Sequence, residues 1–354
     1  MLQLSLFPEN TIHSNKFPTT RYQGSKQRFV DWIWKCIKDI PFNSALDAFG
    51  GTGSVSFRLK EEGKEVTYND ILIFNHIIGK ALIENTNTTL SDSEVKILLS
   101  KHRDISYPDF IERTFKDIYY TDEENRWLDV VSTNIRNMEN PYKQAIAYFA
   151  LFQSCIIKRP YNLFHRKNLY VRLQDVERSF GNKKTWDTPF ETHFRKFVSE
   201  ANNAIFDNKQ ICRSINKDVF DINKNYDFVY IDTPYINENG VGIDYYDFYH
   251  FLNGLVNYEN WNKHIDYTSK HLRLFKQSNV WTNTKTIYDA FKQLFSQFKE
   301  SVMAISYRSN GTPTINELID ILEGLNKKVE IYHTEQMKYV LSKKESTEIL
   351  IIAR

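Results

Sequence analysis

Three carboxylates in this chain stand where chemistry could be done. Asp232 ends the apolar run of "YIDTPY" (230–235) and is followed by Thr233, Pro234 and Tyr235. Proline fixes φ at about −65° and stiffens such a corner. A carboxylate, a peptide carbonyl and an aromatic ring placed there can hold a flat polar ring by its edge and its face. Asp47 precedes Gly50, Gly51 and Gly53 in "DAFGGTGSV" (47–55). Those glycines let the backbone take positive φ and approach a ligand, and the helix beyond them presents free N–H groups. A carboxylate ahead of such a bend suits a ligand carrying an ammonium better than a phosphate. Asp70 ends "EVTYND" (65–70), where an acid commonly grips the two hydroxyls of a ribose. A glycine turn with a second-strand acid implies an adenosine-bearing cofactor at the carboxyl ends of parallel strands. The plainer reading is a tight turn, a helix cap at Asp70 and an Asp-initiated turn at Asp232. "RYQGSK" adds Arg21, Tyr22, Gly24, Ser25 and Lys26 at the start of an amphipathic helix, where Ser25 could equally be a cap.

These residues need elements to position them. "ALDAFG" (45–50) reads as a strand and "TGSVSFRLKEEG" (52–63) as a helix closed by Gly63. "EVTYND" is a second strand and "ILIFNHIIGKALIEN" (71–85) a second helix. This βαβα opening marks a parallel sheet. Later strands are expected at "ICRSI" (211–215), "FVYID" (228–232) and "NVWTN" (279–283). "KYVLSKKESTEILIIAR" (338–354) reads as two strands around a turn, an antiparallel hairpin at the C-terminus. The stretch from 86 to 206 is too long for a crossover and carries helical periodicity at 91–101, 108–118, 122–137, 141–158 and 190–207. The expected architecture is α/β: a sheet domain of residues 1–85 and 207–354 with a mainly helical insertion, 86–206.

Composition sets bounds. The net charge of +2 gives no overall pull toward nucleic acid, so any such surface must come from local clustering. Aromatic residues make up 15% of the chain, which supplies either core or stacking surface for bases. Cys36, Cys155 and Cys212 show no CxxC or His pairing, so neither a disulfide framework, a zinc site nor any other metal site is expected. They read as buried thiols in a reducing compartment, the cytoplasm. No apolar stretch approaches the roughly 20 residues of a membrane span, and no signal peptide is expected at the N-terminus. The dinucleotide pattern G-x-G-x-x-G and a Walker A loop are both missing, which argues against an NAD-linked oxidoreductase.

Taken in order, "RYQGSK", "DAFGGTGSV…YND" and "DTPY" resemble the Dam-like, alpha-group DNA N6-adenine methyltransferases. The resemblance covers most of the chain. It implies a Rossmann-like catalytic domain with the helical insertion serving target recognition, S-adenosyl-L-methionine as cofactor and double-stranded DNA as substrate. In that family Arg21, Tyr22, Gly24, Ser25 and Lys26 would lie near the methionine end of the cofactor. Asp47, Phe49, Gly51 and Gly53 would line its middle, and Asp70 would bind the ribose. Asp218 and Phe220, in "NKDVFD" (216–221), match the place of adenine contact. The family usually has proline where this chain has Thr233, but uses that position through its backbone carbonyl, which threonine also supplies.

The implied chemistry is direct methyl transfer to an exocyclic amine, with no covalent intermediate and no metal. Asp232 and the Thr233 carbonyl would hold the two amine hydrogens, and Tyr235 would stack on the extruded base. The aromatic "GIDYYDFYHF" (242–251) could cover the pocket or simply face the core. "CIIKRPYNLFHRKNLYVRL" (155–173) contains cations but no acid and is the expected DNA-facing stretch. Lys158, Arg159, Arg166, Lys167 and Arg172 would neutralise phosphates. Phe164 and His165 offer planar groups, and Asn162 and Asn168 could read base edges. "SYRSNGTP" (306–313), with Thr312 and Pro313 as helix cap and first turn, is a late loop near the DNA or a plain connection. Methylation of cytosine N4 or of RNA adenine in a similar pocket stays open at this level, as does a non-catalytic binding module. C5-cytosine chemistry would need a Pro-Cys pair, which the chain lacks. Protection of host DNA against a separately acting restriction endonuclease is implied by resemblance alone.

Overall fold

The computed structural model describes residues 15–174, 183–334 and 348–354. Nine strands are described: β1 (Ser44–Asp47), β2 (Glu65–Asn69), β3 (Arg213–Ile215), β4 (Phe228–Ile231), β5 (Ile236–Asn237), β6 (Val302–Arg308), β7 (Gly311–Thr312), β8 (Val329–His333) and β9 (Glu348–Ala353). Seven of them form one sheet in the order β3-β2-β1-β4-β6-β9-β8. The first five run parallel, and β9 lies antiparallel between β6 and β8. β4 is buried at all four positions, as expected of a strand covered on both faces. Its side chains alternate: Phe228 and Tyr230 join one core, Val229 and Ile231 the other.

The opening follows the expected pattern. Ser54–Glu61 is a helix that starts from Gly53 (φ +78°) and stops at Gly63 (φ +73°), the left-handed conformation glycine adopts most cheaply. Between the strand ends of β1 and β4 the chain order reverses, with β2 and β3 on one side and β6 on the other. That switch point opens a crevice at the carboxyl ends.

One strand expectation is corrected. "NVWTN" is not a strand but a 3₁₀ turn, Val280–Thr282. The Asn279 side chain accepts from Trp281 N at 2.9 Å, a local bond that competes with ladder pairing. The place beside β4 is taken by β6, whose apolar "VMAISY" supplies the pairing. The antiparallel C-terminal partner of β9 is Val329–His333; the expected first arm at 338–340 lies outside the described residues. The helix after "SYRSNGTP" is capped by Thr314 rather than Thr312. Thr314 and Glu317 form a reciprocal capping box, while Gly311–Thr312 pairs with β5.

The described residues of 86–206 are mainly helical, with Asp122–Arg136, Pro141–Ile157 and Phe190–Asn203 the longest helices among them. Pro141–Ile157 is buried at every position from Ala145 to Ile157. Its core is continuous with that of one sheet face: Phe149, Phe152 and Phe194 belong to the same buried cluster as Tyr68, Phe228 and Tyr230. Among the described residues no helix is long and apolar enough to cross a membrane.

Candidate active site

Asp47, Asp70 and Asp232 end or follow β1, β2 and β4, and all three line one cavity at the switch point. Each is held differently. Asp70 accepts from Gly51 N at 2.9 Å, Leu72 N at 2.8 Å and Asn75 Nδ2 at 3.0 Å. It thus makes a local turn and is a wall of the cavity, but it is not the cap of the following helix Ile73–Gly79, whose N-cap position is Leu72. Burial raises its carboxyl to about 6 against those three donors. Asp47 Oδ2 accepts from Ser56 Oγ at 2.6 Å, while its Oδ1 is buried without a partner among the described residues. Burial, with Asp232 and Asp70 adding repulsion, raises Asp47 to about 7. An unpaired buried carboxylate oxygen facing a cavity is costly unless a cation completes it.

The glycine bend has two functions. A side chain at Gly50 would fall 2.1 Å from the Tyr68 ring, so that glycine makes room for protein. Gly51 (φ +51°) lines the cavity, and its missing Cβ would stand 3.7 Å from the Tyr22 ring. Gly53 caps the helix behind and does not line the cavity.

"RYQGSK" folds over the opening. The Tyr22 ring stacks between Tyr249 at 4.6 Å and Tyr245 at 5.5 Å. Gly24 (φ +83°) lies where a Cβ would meet the Tyr245 hydroxyl at 2.5 Å. Tyr22, Gly24, Ser25 and Lys26 line the cavity, whereas Arg21 is exposed and does not. Lys26 is buried, with its ammonium 3.2 Å from Asp232 Oδ1, 2.7 Å from Glu348 Oε1 and 2.7 Å from the Tyr235 hydroxyl. Burial raises Asp232 to about 6 and Glu348 adds to the rise, against the pull of Lys26.

Tyr235 is buried beside Asp232. Its hydroxyl donates to Asp232 Oδ1 at 2.5 Å, its ring packs edge-on against Tyr307 at 5.7 Å, and it does not line the cavity. Asp232, Thr233 and Pro234 do line it. So do Tyr245 and Tyr246, from the aromatic stretch whose Tyr249 and Phe251 face the core instead. The expected Asp218, Phe49 and Phe220 are brought together on one wall, where Phe49 and Phe220 pack on Trp281 at 5.2 and 5.7 Å. Sequence reasoning misses Trp281 and Glu348. Alternation places Trp281 in a strand, and nothing local links Glu348 to the tetrapeptide.

The basic stretch is largely internal. Lys158 donates to the carbonyls of Trp186 and Thr188 and pairs with Glu124 at 2.9 Å. Arg172 pairs with Glu124 at 2.7 Å. Arg159, fully buried, donates to the carbonyls of Tyr119, Leu163 and Arg166 and to the Asn168 side chain. Phe164 and Asn168 are buried too. The expectation that these five meet DNA is corrected by burial: their donors and faces are committed to protein. Asn162 and His165 are half-buried, and Arg166 and Lys167 are exposed, beside exposed Tyr161 and Tyr170.

Type II methyltransferase M2.HphI of Haemophilus parahaemolyticus is 28% identical over 352 residues, spanning 96% of this chain and 99% of that protein. Type II methyltransferase M.NlaIII of Neisseria lactamica is 22% identical, spanning 92% and 94%. Modification methylase LlaI of Lactococcus lactis subsp. lactis is 24% identical over 90% of this chain, which covers 51% of that longer protein. The family described as D12 class N6 adenine-specific DNA methyltransferase matches residues 22–309, from the stacked tyrosine through the three carboxylates to the end of β6, and the chain belongs to that family.

Proposed function

We propose that the chain uses S-adenosyl-L-methionine to methylate adenine N6 at a specific duplex sequence, and that it is the modification partner of a separately acting restriction endonuclease. The observation that carries the site assignment is that Asp47, Asp70 and Asp232 line one cavity with the glycine bend. The donor set fits the cofactor. Asp47, with a buried unpartnered oxygen, would take the methionine ammonium. Asp70 would take the ribose hydroxyls, and Phe49, Phe220 and Trp281 would enclose the adenine. When bound, S-adenosyl-L-methionine would supply an electrophilic sulfonium methyl: the N–CH3 bond to the substrate amine would form as the S–CH3 bond breaks, with S-adenosyl-L-homocysteine as the leaving group.

The remaining work belongs to Asp232 and Thr233. An adenine amine is a weak nucleophile because its lone pair is delocalised into the ring. Asp232 Oδ1 is engaged by Tyr235 and Lys26. Its Oδ2 makes no hydrogen bond to the described residues and accepts one amine hydrogen, and the Thr233 carbonyl accepts the other. As N6 forms its new bond, Oδ2 takes the displaced proton. Tyr245 and Tyr246, rather than Tyr235, offer rings to an extruded base. Preorganised acceptors and orientation supply the acceleration. The exposed cations for duplex phosphates are Arg166 and Lys167.

Asp232→Ala tests this directly. The variant is expected to bind S-adenosyl-L-homocysteine within about threefold of wild type while losing at least about a hundredfold in methyl transfer to duplex DNA. Nucleoside analysis of the wild-type product should give N6-methyladenine. Methyl transfer at an undiminished rate by the variant refutes the assignment of Asp232.

A further inference from the structure

We propose that the strap from Lys263 to Ser278 is a second DNA-contacting arm beside the cavity, with Lys270 and Lys276 on duplex phosphates and Phe275 entering the gap that the extruded adenine leaves. The inference rests on duplex DNA as substrate and on base extrusion, as set out above. Residues 263–278 carry four Lys and Arg against one acid, Asp266. That acid is already paired, 3.2 Å from Arg273. Lys270 and Lys276 are exposed and form no ion pair with a described residue. The burial that commits Lys158, Arg159 and Arg172 to protein therefore does not apply here. Exposed cations outside the inserted helices give the duplex a second line of contact.

The strap is fixed at its base and at both ends of its path. Asp266 N donates to Arg273 O at 2.8 Å and Phe275 N to His264 O at 2.9 Å, and Ile265 and Leu274, which pair across the two arms, are buried. The Tyr119 hydroxyl lies 2.7 Å from the carbonyl oxygens of both His271 and Phe164, so the strap runs beside the loop that carries exposed Arg166 and Lys167. At the other end Gln277 lines the cavity, and its Nε2 donates to the Tyr246 hydroxyl at 3.2 Å. Burial raises the Asp244 carboxyl on the cavity wall and Lys276 draws it back down, which sets that cation at the rim. Phe275 is 57% exposed and stands two residues from Gln277, within about 7 Å of chain. A lone exposed aromatic would need no explanation. This one has a fixed backbone, a phosphate-seeking cation next to it and a base-sized cavity beyond, which is the placement of an apolar wedge. Its ring, stacked where the adenine had been, offsets part of the cost of extrusion.

Three variants test the arm on a duplex carrying the sequence that the wild-type enzyme methylates: Phe275→Ala, Phe275→Trp, and Lys270→Ala combined with Lys276→Ala. With the target adenine paired to thymine, Phe275→Ala is expected to lose about tenfold or more in kcat/KM. With the adenine opposite an abasic site no pair has to be broken, and the loss should shrink to within about twofold. Phe275→Trp keeps a ring and should retain most of the activity on both duplexes. The lysine double variant should lower the slope of log Kobs against log salt by about 2. Melting temperature and affinity for S-adenosyl-L-homocysteine should stay at wild-type values in all three. The proposal is overturned if Phe275→Ala loses equally on the two duplexes, if it loses nothing on either, or if the salt slope of the lysine variant is unchanged. Wild-type enzyme measured in parallel separates the two claims. A wild-type chain that places no methyl group on adenine N6 sinks the reading of the function, whereas an active wild type beside an unaffected Phe275→Ala sinks only the arm.

Discussion

Asp47 shows how a single oxygen can make cofactor binding depend on pH. Its carboxyl is raised to about 7 by burial, and its Oδ1 has no hydrogen-bond partner among the described residues. In the empty site the neutral acid is favoured below pH 7, whereas an ammonium ligand favours the carboxylate. Binding therefore takes up the cost of deprotonation as pH falls through 7. Calorimetric titration with S-adenosyl-L-homocysteine should show affinity about tenfold weaker at pH 6 than at pH 8, and Asp47→Asn should be weak and nearly flat with pH. The linkage to folding has the opposite sense. A carboxyl raised in the folded state favours folding at low pH, and that contribution is lost as pH rises from about 4 toward 7. At this scale the tetrapeptide and both other acids were legible, because a carboxylate at a strand end is a local pattern. The partner of Tyr235 was not. Its hydroxyl is claimed by Asp232 in a network completed by Lys26 and Glu348, which come from opposite ends of the chain.

Helices and turns decide which charges reach solvent. "CIIKRPYNLFHRKNLYVRL" reads as a DNA-facing strip because cations outnumber acids, yet Glu124 from another helix supplies the missing counter-charge to Lys158 and Arg172. Arg159 spends its donors on carbonyls of the loop that follows it. The two kinds of cation in this stretch should separate experimentally. Arg159→Ala removes the side-chain donor to the carbonyls of Leu163 and Arg166 and should cost about 3 kcal/mol of stability, read as a lowered melting temperature, with the salt dependence of DNA binding unchanged. Arg166→Ala with Lys167→Ala should leave the melting temperature alone. The same pair should reduce the slope of log Kobs against log salt by about 2, at roughly 0.9 for each phosphate no longer neutralised. A double variant with an unchanged slope would remove this face from the DNA interface. "NVWTN" failed as a strand for a related reason. Alternation of apolar and polar residues cannot reveal that the Asn279 side chain has already satisfied the backbone N–H of Trp281.

At the scale of the whole molecule, the order of elements was readable from periodicity, and the long helical stretch was found where it was expected. What periodicity could not show is how that stretch is attached. Tyr119, Phe115 and Phe251 pack together, Trp261 sits against Phe110, Phe115 and Phe251, and Tyr258 hydrogen-bonds Asp129. Residues 245–265, which follow the tetrapeptide, thus clamp the helices from one side. The helix Ile73–Gly79 also meets Pro141–Ile157, with Phe74 edge-on to Phe152 at 5.7 Å. A segment gripped by both ends of the surrounding fold, with its apolar residues in one shared cluster, should not melt by itself. Calorimetry on the full chain should give a single transition whose calorimetric and van't Hoff enthalpies agree. Replacing residues 86–206 by a short linker should expose Phe74, Tyr249 and Phe251 and yield no cooperatively folded sheet. Two resolved transitions, or a folded protein after the deletion, would mean that the helices form a core of their own, and that binding at their surface is not transmitted through shared packing to the cavity walls at Tyr22 and Tyr245.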